Sequence, residues 1–196
     1  MLSRAQRGVT LLELMIVLAI VAFTLAMGLP SFTGWIRNTH NRTAAESVLN
    51  GLQLARAEAV RRNTQVRFTL TSNTGRVDWN VGCVSVTTAC LATIQSRPAS
   101  EGSAQARVGI STAAIPSPIP AGHFGTALAA GAGLPAGVTF DGLGRPISGN
   151  ADFKRADFTN ATATGTRRYI VIIGQGGQVR MCDPALPFAS NPQGCS

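Results

Sequence analysis

An apolar run near the amino terminus constrains this chain more than any other feature. The run extends from Val9 to Leu29, follows the basic residues Arg4 and Arg7, and contains a single charge, Glu13. A helix of this length, at roughly 1.5 Å per residue, spans the hydrocarbon core of a bilayer. The positive-inside rule then places the leader in the cytoplasm and the rest of the chain across the membrane. Because a carboxylate in hydrocarbon is costly, Glu13 is expected to have a function.

Two ordinary explanations account for only part of this run. A secretory signal peptide would supply the basic leader and a small-x-small cleavage site at 26–28. Its apolar region is usually shorter, ~7–15 residues, and Glu13 would interrupt it. A simple membrane anchor explains the length of the run but gives no role to Glu13 or Gly8.

The residues around Glu13 resemble the class 3 prepilin signal of type IV pilins. Residues 8–15 are GVTLLELM, in which a glycine precedes an apolar residue and the glutamate is the fifth residue after the glycine. In that family a prepilin peptidase cleaves after the glycine and methylates the new amine. The resemblance therefore implies cleavage between Gly8 and Val9 and N-methylation of Val9, where the family most often has phenylalanine. Pro30 lies where pilins place a helix-kinking proline.

The same resemblance gives Glu13 a role in assembly. After cleavage, Val9 would carry a positive amine, and Glu13 would carry a negative carboxylate. An amine and a carboxylate that meet between neighbouring subunits neutralise each other where neither is well solvated. Glu13 would then set the register of assembly rather than stabilise one subunit.

The charge of the chain is strongly positive. The formal net charge of the 196 residues is +8, which becomes +6 when Arg4 and Arg7 are removed with the leader. Such an excess indicates attraction to phosphates, acidic partners or lipid head groups, or merely an arginine-rich solvated surface.

Four cysteines lie beyond the apolar run, which suits an oxidising compartment. We predict the local pairs Cys83–Cys90 and Cys182–Cys195, although other connectivities are open. The cysteine spacings and the distant His40 and His123 do not match common zinc patterns, so no metal and no cofactor are predicted.

Beyond Pro30, apolar residues recur at helical spacing, and charged residues mostly take the other positions. The apolar positions are Phe32, Trp35, Ile36, Thr39, Ala45, Val48, Leu49, Leu52, Ala55 and Ala59. This pattern predicts one long helix that ends near Asn63, with its first half in lipid and its second half covering a core.

The rest of the chain has strand and turn patterns. Strands are expected at 66–70, 77–81, 83–86, 91–96, 107–110, 137–141, 168–173 and 178–182, with a long surface loop over 97–136. Asp152 and Asp157 flank Lys154 and Arg155, which indicates a mixed-charge loop. The predicted fold class is α+β and type IV pilin-like, with a long N-terminal α-helix packed on an antiparallel β-sheet.

Four segments of the chain, taken in order, are similar to the GspH/FimT group of minor pilins and minor pseudopilins. These segments are the helix at 52–63, the strand at 79–83, the turn at 140–145 and the closing hairpin that ends at Cys182. In FimT-type minor pilins implicated in DNA uptake, that hairpin carries a Gly-Arg-x-Arg motif that binds DNA. The matching residues here start at Gly177, and Gln178 replaces the first arginine while Arg180 retains the second. Loss of one arginine removes a salt-dependent phosphate contact, for which Arg167 and Arg168 would compensate if they lie nearby.

The sequence therefore predicts a structural subunit and not an enzyme. Residues 1–8 form a prepilin leader, 9–30 the transmembrane and assembly half of the helix, and 31–196 a periplasmic globular domain. The expected function is that of a minor pilin or pseudopilin at the tip of a type IV pilus or type II secretion pseudopilus. The alternative is a FimT-like DNA-binding minor pilin. The expected partners are prepilin peptidase, other minor subunits, the major subunit, the inner membrane before assembly and, in the alternative, DNA.

Overall fold

One helix, α1 (Leu11–Arg62), begins the structure, as the apolar periodicity predicts. It ends where Asn63 adopts the left-handed conformation, with φ of 49°. The Thr64 amide donates a hydrogen bond to the Ala59 carbonyl at 3.1 Å, and the Asn63 amide donates to the Val60 carbonyl at 3.2 Å. This paired arrangement is a Schellman motif, which satisfies carbonyls that the end of a helix leaves free.

The computed structural model describes residues 9–147, 149, 152–161 and 165–195, apart from the side chains of 27–31. The predicted cleavage residue Gly8 lies outside the described residues. The chain divides into two compact units, residues 1–36 and residues 37–196.

Within the described residues, nine strands follow α1 and form two antiparallel sheets. They are β1 (Val66–Leu70), β2 (Trp79–Cys83), β3 (Gln95–Arg97), β4 (Ala106–Ser111), β5 (Ala136–Phe140), β6 (Pro146–Ile147), β7 (Arg155–Asn160), β8 (Tyr169–Ile173) and β9 (Val179–Cys182). The first sheet has the order β3-β2-β1-β5-β6, and the second has the order β4-β7-β8-β9. The α+β class is thus confirmed, with two antiparallel sheets where the sequence predicted one.

The second unit has a core formed by the helix and both sheets. The buried helix positions are Ala44, Ala45, Val48, Leu52, Ala55 and Ala59, and they share one cluster with apolar residues of both sheets. Gly51 allows the helix to approach closely, because a Cβ there would lie 2.7 Å from Cε2 of Phe68. The indole Nε1 of Trp79 donates a hydrogen bond to the buried Ser47 hydroxyl at 2.7 Å, so the Trp79 ring is both packed and satisfied.

The periodic apolar pattern extends further along the helix than the core does. Phe32 and Trp35, expected on the buried face, are 59% and 64% exposed, and their ring centroids lie 6.0 Å apart. Helical spacing shows that apolar residues share one face of a helix, but it does not show which of them are buried.

Three strand predictions differ from the structure. The expected strand at 83–86 is wrong, because the chain turns after Cys83 into a loop that the Cys83–Cys90 disulfide closes. The partner of β2 is confirmed but reduced to Gln95–Arg97. The predicted mixed-charge loop is wrong for Arg155 and Asp157, which lie in β7, an inner strand of the second sheet, whereas Asp152 and Lys154 precede that strand.

Two disulfides are present, and each joins a cysteine to the next cysteine along the chain. Cys83 pairs with Cys90, and Cys182 at the end of β9 pairs with Cys195, so that the carboxyl-terminal segment is held against the second sheet. All four cysteines are buried.

Candidate functional site

The start of α1 places Glu13 in a defined position. The Glu13 amide donates a hydrogen bond to the Thr10 hydroxyl at 3.2 Å, and the Leu14 amide donates to the Thr10 carbonyl at 3.1 Å. Thr10 is therefore the N-cap residue and Glu13 is the N3 residue, the spacing of a capping box. Sequence reasoning gave Thr10 no role, although the pattern Thr-x-x-Glu before an apolar run was available to identify it.

The first unit carries a large apolar surface. Its exposed large hydrophobic residues between Val9 and Leu25 have exposed fractions from 46 to 77%. Soluble monomers rarely expose apolar surface of this extent, which is typical of an interaction site.

Within the described part of the chain, no helix satisfies both the length and the hydropathy needed to cross a membrane.

The closing hairpin, β8 and β9, carries the residues predicted to bind DNA. Gln178 precedes β9 and is exposed, while Arg180 within β9 is partly buried. The Arg180 guanidinium donates to the carbonyls of Gly194 and Cys195, each at 3.2 Å, and lies 5.1 Å from the ring centroid of Phe188. Arg180 thus holds the disulfide-linked carboxyl-terminal segment in place.

Arg167 has an acidic partner within the chain. Its Nε donates a hydrogen bond to Oδ2 of the buried Asp183, and this bond raises the pKa of Arg167 above its ordinary value. The Arg167 backbone is also fixed, because its amide donates to Asn38 at 2.8 Å and its carbonyl accepts from Asn41 at 2.9 Å. The side chain remains half exposed, beside that of Arg42 in a small pocket of 120 Å³.

Arg168 belongs to a buried ion cluster that sequence reasoning missed. Asp157, which is fully buried, accepts hydrogen bonds from Arg155 at 2.6 and 2.7 Å and from Arg168 at 2.7 Å. The two arginine side chains are only 10% and 14% exposed. The alternation of Arg155 and Asp157 at a spacing of two, with Ala156 between them, was a strand pattern that could have indicated this cluster.

The cluster fastens part of the long loop between β4 and β5 to the second sheet. Arg155 donates to the carbonyl of Thr126 at 2.8 Å, and Arg168 donates to the carbonyl of Phe124. The amide of Leu128 donates to Asp157 at 3.1 Å. These bonds satisfy donors that burial would otherwise leave unpaired, so the two cations are structural in this position.

Arg167, Arg168 and Arg180 are therefore all engaged within the chain. Their partners are respectively Asp183, Asp157 and the carbonyls of the carboxyl-terminal segment. Among the four residues predicted to bind DNA, Gln178 alone is exposed and has no side-chain bond to another group in the part of the chain that the structure describes.

A long amino-terminal helix followed by antiparallel sheets and two disulfides is the architecture of a type IV pilin-like subunit. Comparison with protein-family models finds two matches: the Prokaryotic N-terminal methylation motif at residues 3–29, and Type II transport protein GspH at residues 44–177. The chain belongs to the GspH family, and it is a minor pilin or pseudopilin with an N-terminal methylation motif. This is a family of structural pilin subunits and not of enzymes.

Solved structures give a fold-level similarity. Two crystal structures of the type IV minor pilin FimU from Pseudomonas aeruginosa PAO1 match 79% of this chain at 17% sequence identity. In one, the match covers 94% of FimU with a TM-score of 0.45, and in the other it covers 99% with a TM-score of 0.43. No match was found among curated proteins.

Proposed function

We propose that this chain is made as a prepilin, cleaved by prepilin peptidase between Gly8 and Val9, and methylated on the Val9 amine. Before assembly it is held in the inner membrane by residues 9–30, with residues 31–196 in the periplasm. It then joins other minor subunits and the major subunit at the tip of a type IV pilus or type II secretion pseudopilus.

One observation carries this proposal: the methylation motif at residues 3–29 precedes a GspH domain at 44–177 in the same chain. The exposed apolar surface of the first unit supports it, because such a surface is buried either by lipid or by the helices of neighbouring subunits. The two disulfides support a periplasmic location for the second unit, since disulfides persist in oxidising compartments.

The amino terminus of the mature chain tests the processing step. The full chain is produced in cells with active or inactive prepilin peptidase, and its terminal peptide is identified by mass spectrometry. We expect a mature chain that begins with N-methylated Val9 only when the peptidase is active. A mature chain beginning at Leu29 would instead indicate a secretory signal peptide and contradict the proposal.

A glycine substitution provides the matched control. Gly8→Val is expected to block cleavage, whereas Gly34→Val changes a glycine of α1 whose Cβ would meet nothing within 4 Å. Processing of the Gly8→Val chain at the normal level would contradict the assigned cleavage position.

DNA binding at the closing hairpin is the less favoured proposal. The geometry opposes a direct copy of the FimT-type site, because Arg167, Arg168 and Arg180 already bind groups of this chain. Arg168 and Arg180 would have to give up such bonds to contact a phosphate, which reduces the net gain. The half-exposed Arg167 uses only Nε in its bond to Asp183, so its other donors remain accessible.

A further inference from the structure

We infer that an exposed apolar patch at the end of α1 docks a neighbouring subunit of the fibre, and that the neighbour's matching surface has an aliphatic side chain flanked by carboxylates. We call this surface the Val60–Leu143 patch. It consists of Ala57 and Val60 on α1, Leu143 in the turn after β5, and the surrounding arginines Arg56, Arg61 and Arg145. The inference rests on the proposed function, because it identifies which face of the subunit meets a neighbour.

The apolar side chains of the patch are exposed. Val60 is 51% exposed and Leu143 is 71% exposed. An open hollow of about 620 Å³ on this face of α1 is lined by Gln53, Arg56, Ala57, Val60 and Arg61. The turn lies against it, because a Cβ built on Gly144 would be 3.1 Å from Cγ2 of Val60. Exposed apolar groups that lie close together and have a polar rim are typical of protein interaction sites.

The turn that presents Leu143 is rigid. The Asp141 carboxylate accepts hydrogen bonds from the amides of Leu143 at 3.0 Å and Arg145 at 2.8 Å. The Asp141 amide also donates to the Arg145 carbonyl at 2.9 Å, and the Gly144 amide donates to the Asp141 carbonyl at 2.9 Å. Leu143 is therefore held exposed by a preorganised loop, which lowers the entropy lost when a partner binds it.

A contact from the helix fixes this turn in place. Nε of Arg56 donates to the carbonyl of Gly144 at 3.0 Å, although the two residues are 88 positions apart in the chain. Val60 and Leu143 thus belong to one surface that the tertiary structure builds from distant segments.

The charge around the patch selects an acidic partner. Arg61 and Arg145 are exposed, and within the described residues the Arg145 side chain has no hydrogen bond or ion pair. The nearby acids offset only part of this charge, since one carboxylate, Glu58, is shared by Arg61 and Arg62. Asp141, which binds backbone amides of its own turn, is outnumbered by Arg56 and Arg145. The patch therefore carries an excess of positive charge, and a partner with carboxylates around an aliphatic side chain complements it.

Substitution within the patch gives the first test. Leu143→Ser and Val60→Gln remove the apolar groups at exposed positions, so the fold is expected to remain, as circular dichroism and thermal unfolding would show. Val86→Ser is the matched control, because Val86 is 61% exposed in the loop closed by Cys83 and Cys90. We expect incorporation into sheared fibres to fall about tenfold for both patch variants and to be unchanged for the control.

Cross-linking identifies the occupant. All four cysteines of the chain form disulfides, so Leu143→Cys introduces the one free thiol of the folded protein. A benzophenone maleimide attached there is photolysed in assembled fibres, and the adducts are mapped by mass spectrometry. We expect an adduct with another fibre subunit at a segment that contains Asp or Glu beside an aliphatic residue, and none from Val86→Cys.

The outcomes separate this inference from the proposed function. If the wild-type chain itself is missing from fibres, the proposed function fails. If the wild-type chain is present and Leu143→Ser is incorporated equally well, the proposed function stands and the docking surface is wrong. Equal adducts from Leu143→Cys and Val86→Cys, or adducts at segments without carboxylates, would also overturn the inference.

Discussion

Glu13 combines a local role at the start of α1 with the role in assembly that we propose. Its position at N3 places a carboxylate near the positive end of the helix dipole, which stabilises a helix by roughly 0.3–1 kcal/mol. The backbone of the same residue binds the Thr10 hydroxyl. A loss of function on removing Glu13 therefore has two possible physical origins, which a pair of variants separates.

The first prediction concerns Glu13→Ala and Thr10→Ala. Thr10→Ala removes the hydroxyl that caps α1, at a cost of about 0.5–2 kcal/mol. Glu13→Ala keeps the backbone bond to Thr10 but removes the carboxylate and its interaction with the helix dipole. We expect Glu13→Ala to lower the fraction of subunits in fibres while membrane insertion persists, and Thr10→Ala to have little effect. The measurement is an immunoblot of fibre and membrane fractions. If both variants lower the fraction of subunits in fibres equally, the effect of Glu13 comes from the stability of the helix start and not from its carboxylate in assembly.

The second prediction concerns Glu58 and pH. Glu58 accepts hydrogen bonds from Arg61 and Arg62, at 2.7 and 2.6 Å for the shortest contacts, and these bonds lower the pKa of its carboxyl group. A carboxyl whose pKa is lower in the folded state contributes stability above its unfolded pKa, and this contribution disappears as the pH falls through the folded value. We expect wild type to be more stable than Glu58→Gln at neutral pH, with the difference shrinking on acidification below pH about 4. Thermal unfolding of both proteins across this pH range measures it. If the difference in stability between wild type and Glu58→Gln does not change with pH, the ionised carboxylate is not the cause of that difference.

At the scale of secondary-structure elements, β7 joins the second sheet to the long loop that precedes β5. Its Arg155 and Asp157, with Arg168 from the segment before β8, form a cluster that binds Phe124, Thr126 and Leu128 through their backbones. A loop without strands of its own is expected to be mobile unless such bonds hold it.

The third prediction tests that cluster with Asp157→Asn. This change leaves two buried guanidinium groups without a counter-ion, and breaking a buried pair in this way typically costs about 3–5 kcal/mol. Glu46→Gln is the control, because the Arg42–Glu46 pair is exposed on α1 and such pairs contribute about 0–1 kcal/mol. Denaturant unfolding measures both changes, and hydrogen exchange is expected to increase over residues 124–128 in Asp157→Asn alone. Similar destabilisation by the two variants would contradict the structural role of the cluster.

At the scale of the whole molecule, the net charge of +8, or +6 without the leader, favours non-specific attraction to polyanions. In the structure, most of the described arginines form ion pairs with carboxylates of the same chain. Strong, localised DNA binding at the closing hairpin is therefore not expected, even though the hairpin itself forms.

The fourth prediction is a salt-titrated DNA-binding measurement on the mature protein. We expect weak binding that falls as salt rises, because it depends on released counter-ions, and a slope that Arg180→Ala leaves nearly unchanged. Arg145→Ala, which removes a guanidinium without an ion pair in the described residues, is expected to reduce the slope by about 1 if DNA contacts that guanidinium. Loss of DNA binding in Arg180→Ala alone would contradict this prediction and support a FimT-type DNA-binding site at the closing hairpin.

Much of the architecture was predictable from the sequence because it depends on local patterns. The apolar period predicted the extent of α1, the glycine-rich turn at 174–177 predicted the closing hairpin, and alternation predicted β1. The strand at Arg155–Asn160 was missed, because charged residues at alternate positions resemble a loop until their partners are known. Phe32 and Trp35 were expected in the core because helical spacing does not show where a core ends.

The sequence by itself determined the start and end of α1, the apolar segment, the signal around Gly8 and Glu13, and the family of the chain. These features depend on residues that are neighbours along the chain, such as the Thr10 cap and the left-handed Asn63. Only the tertiary structure decided which arginines are paired and which surface is left exposed. Arg168 meets Asp157, and Arg56 meets Gly144, only after distant strands and turns have packed together. A charge or an apolar side chain acquires its role from the groups that folding brings beside it, and sequence spacing does not contain that information.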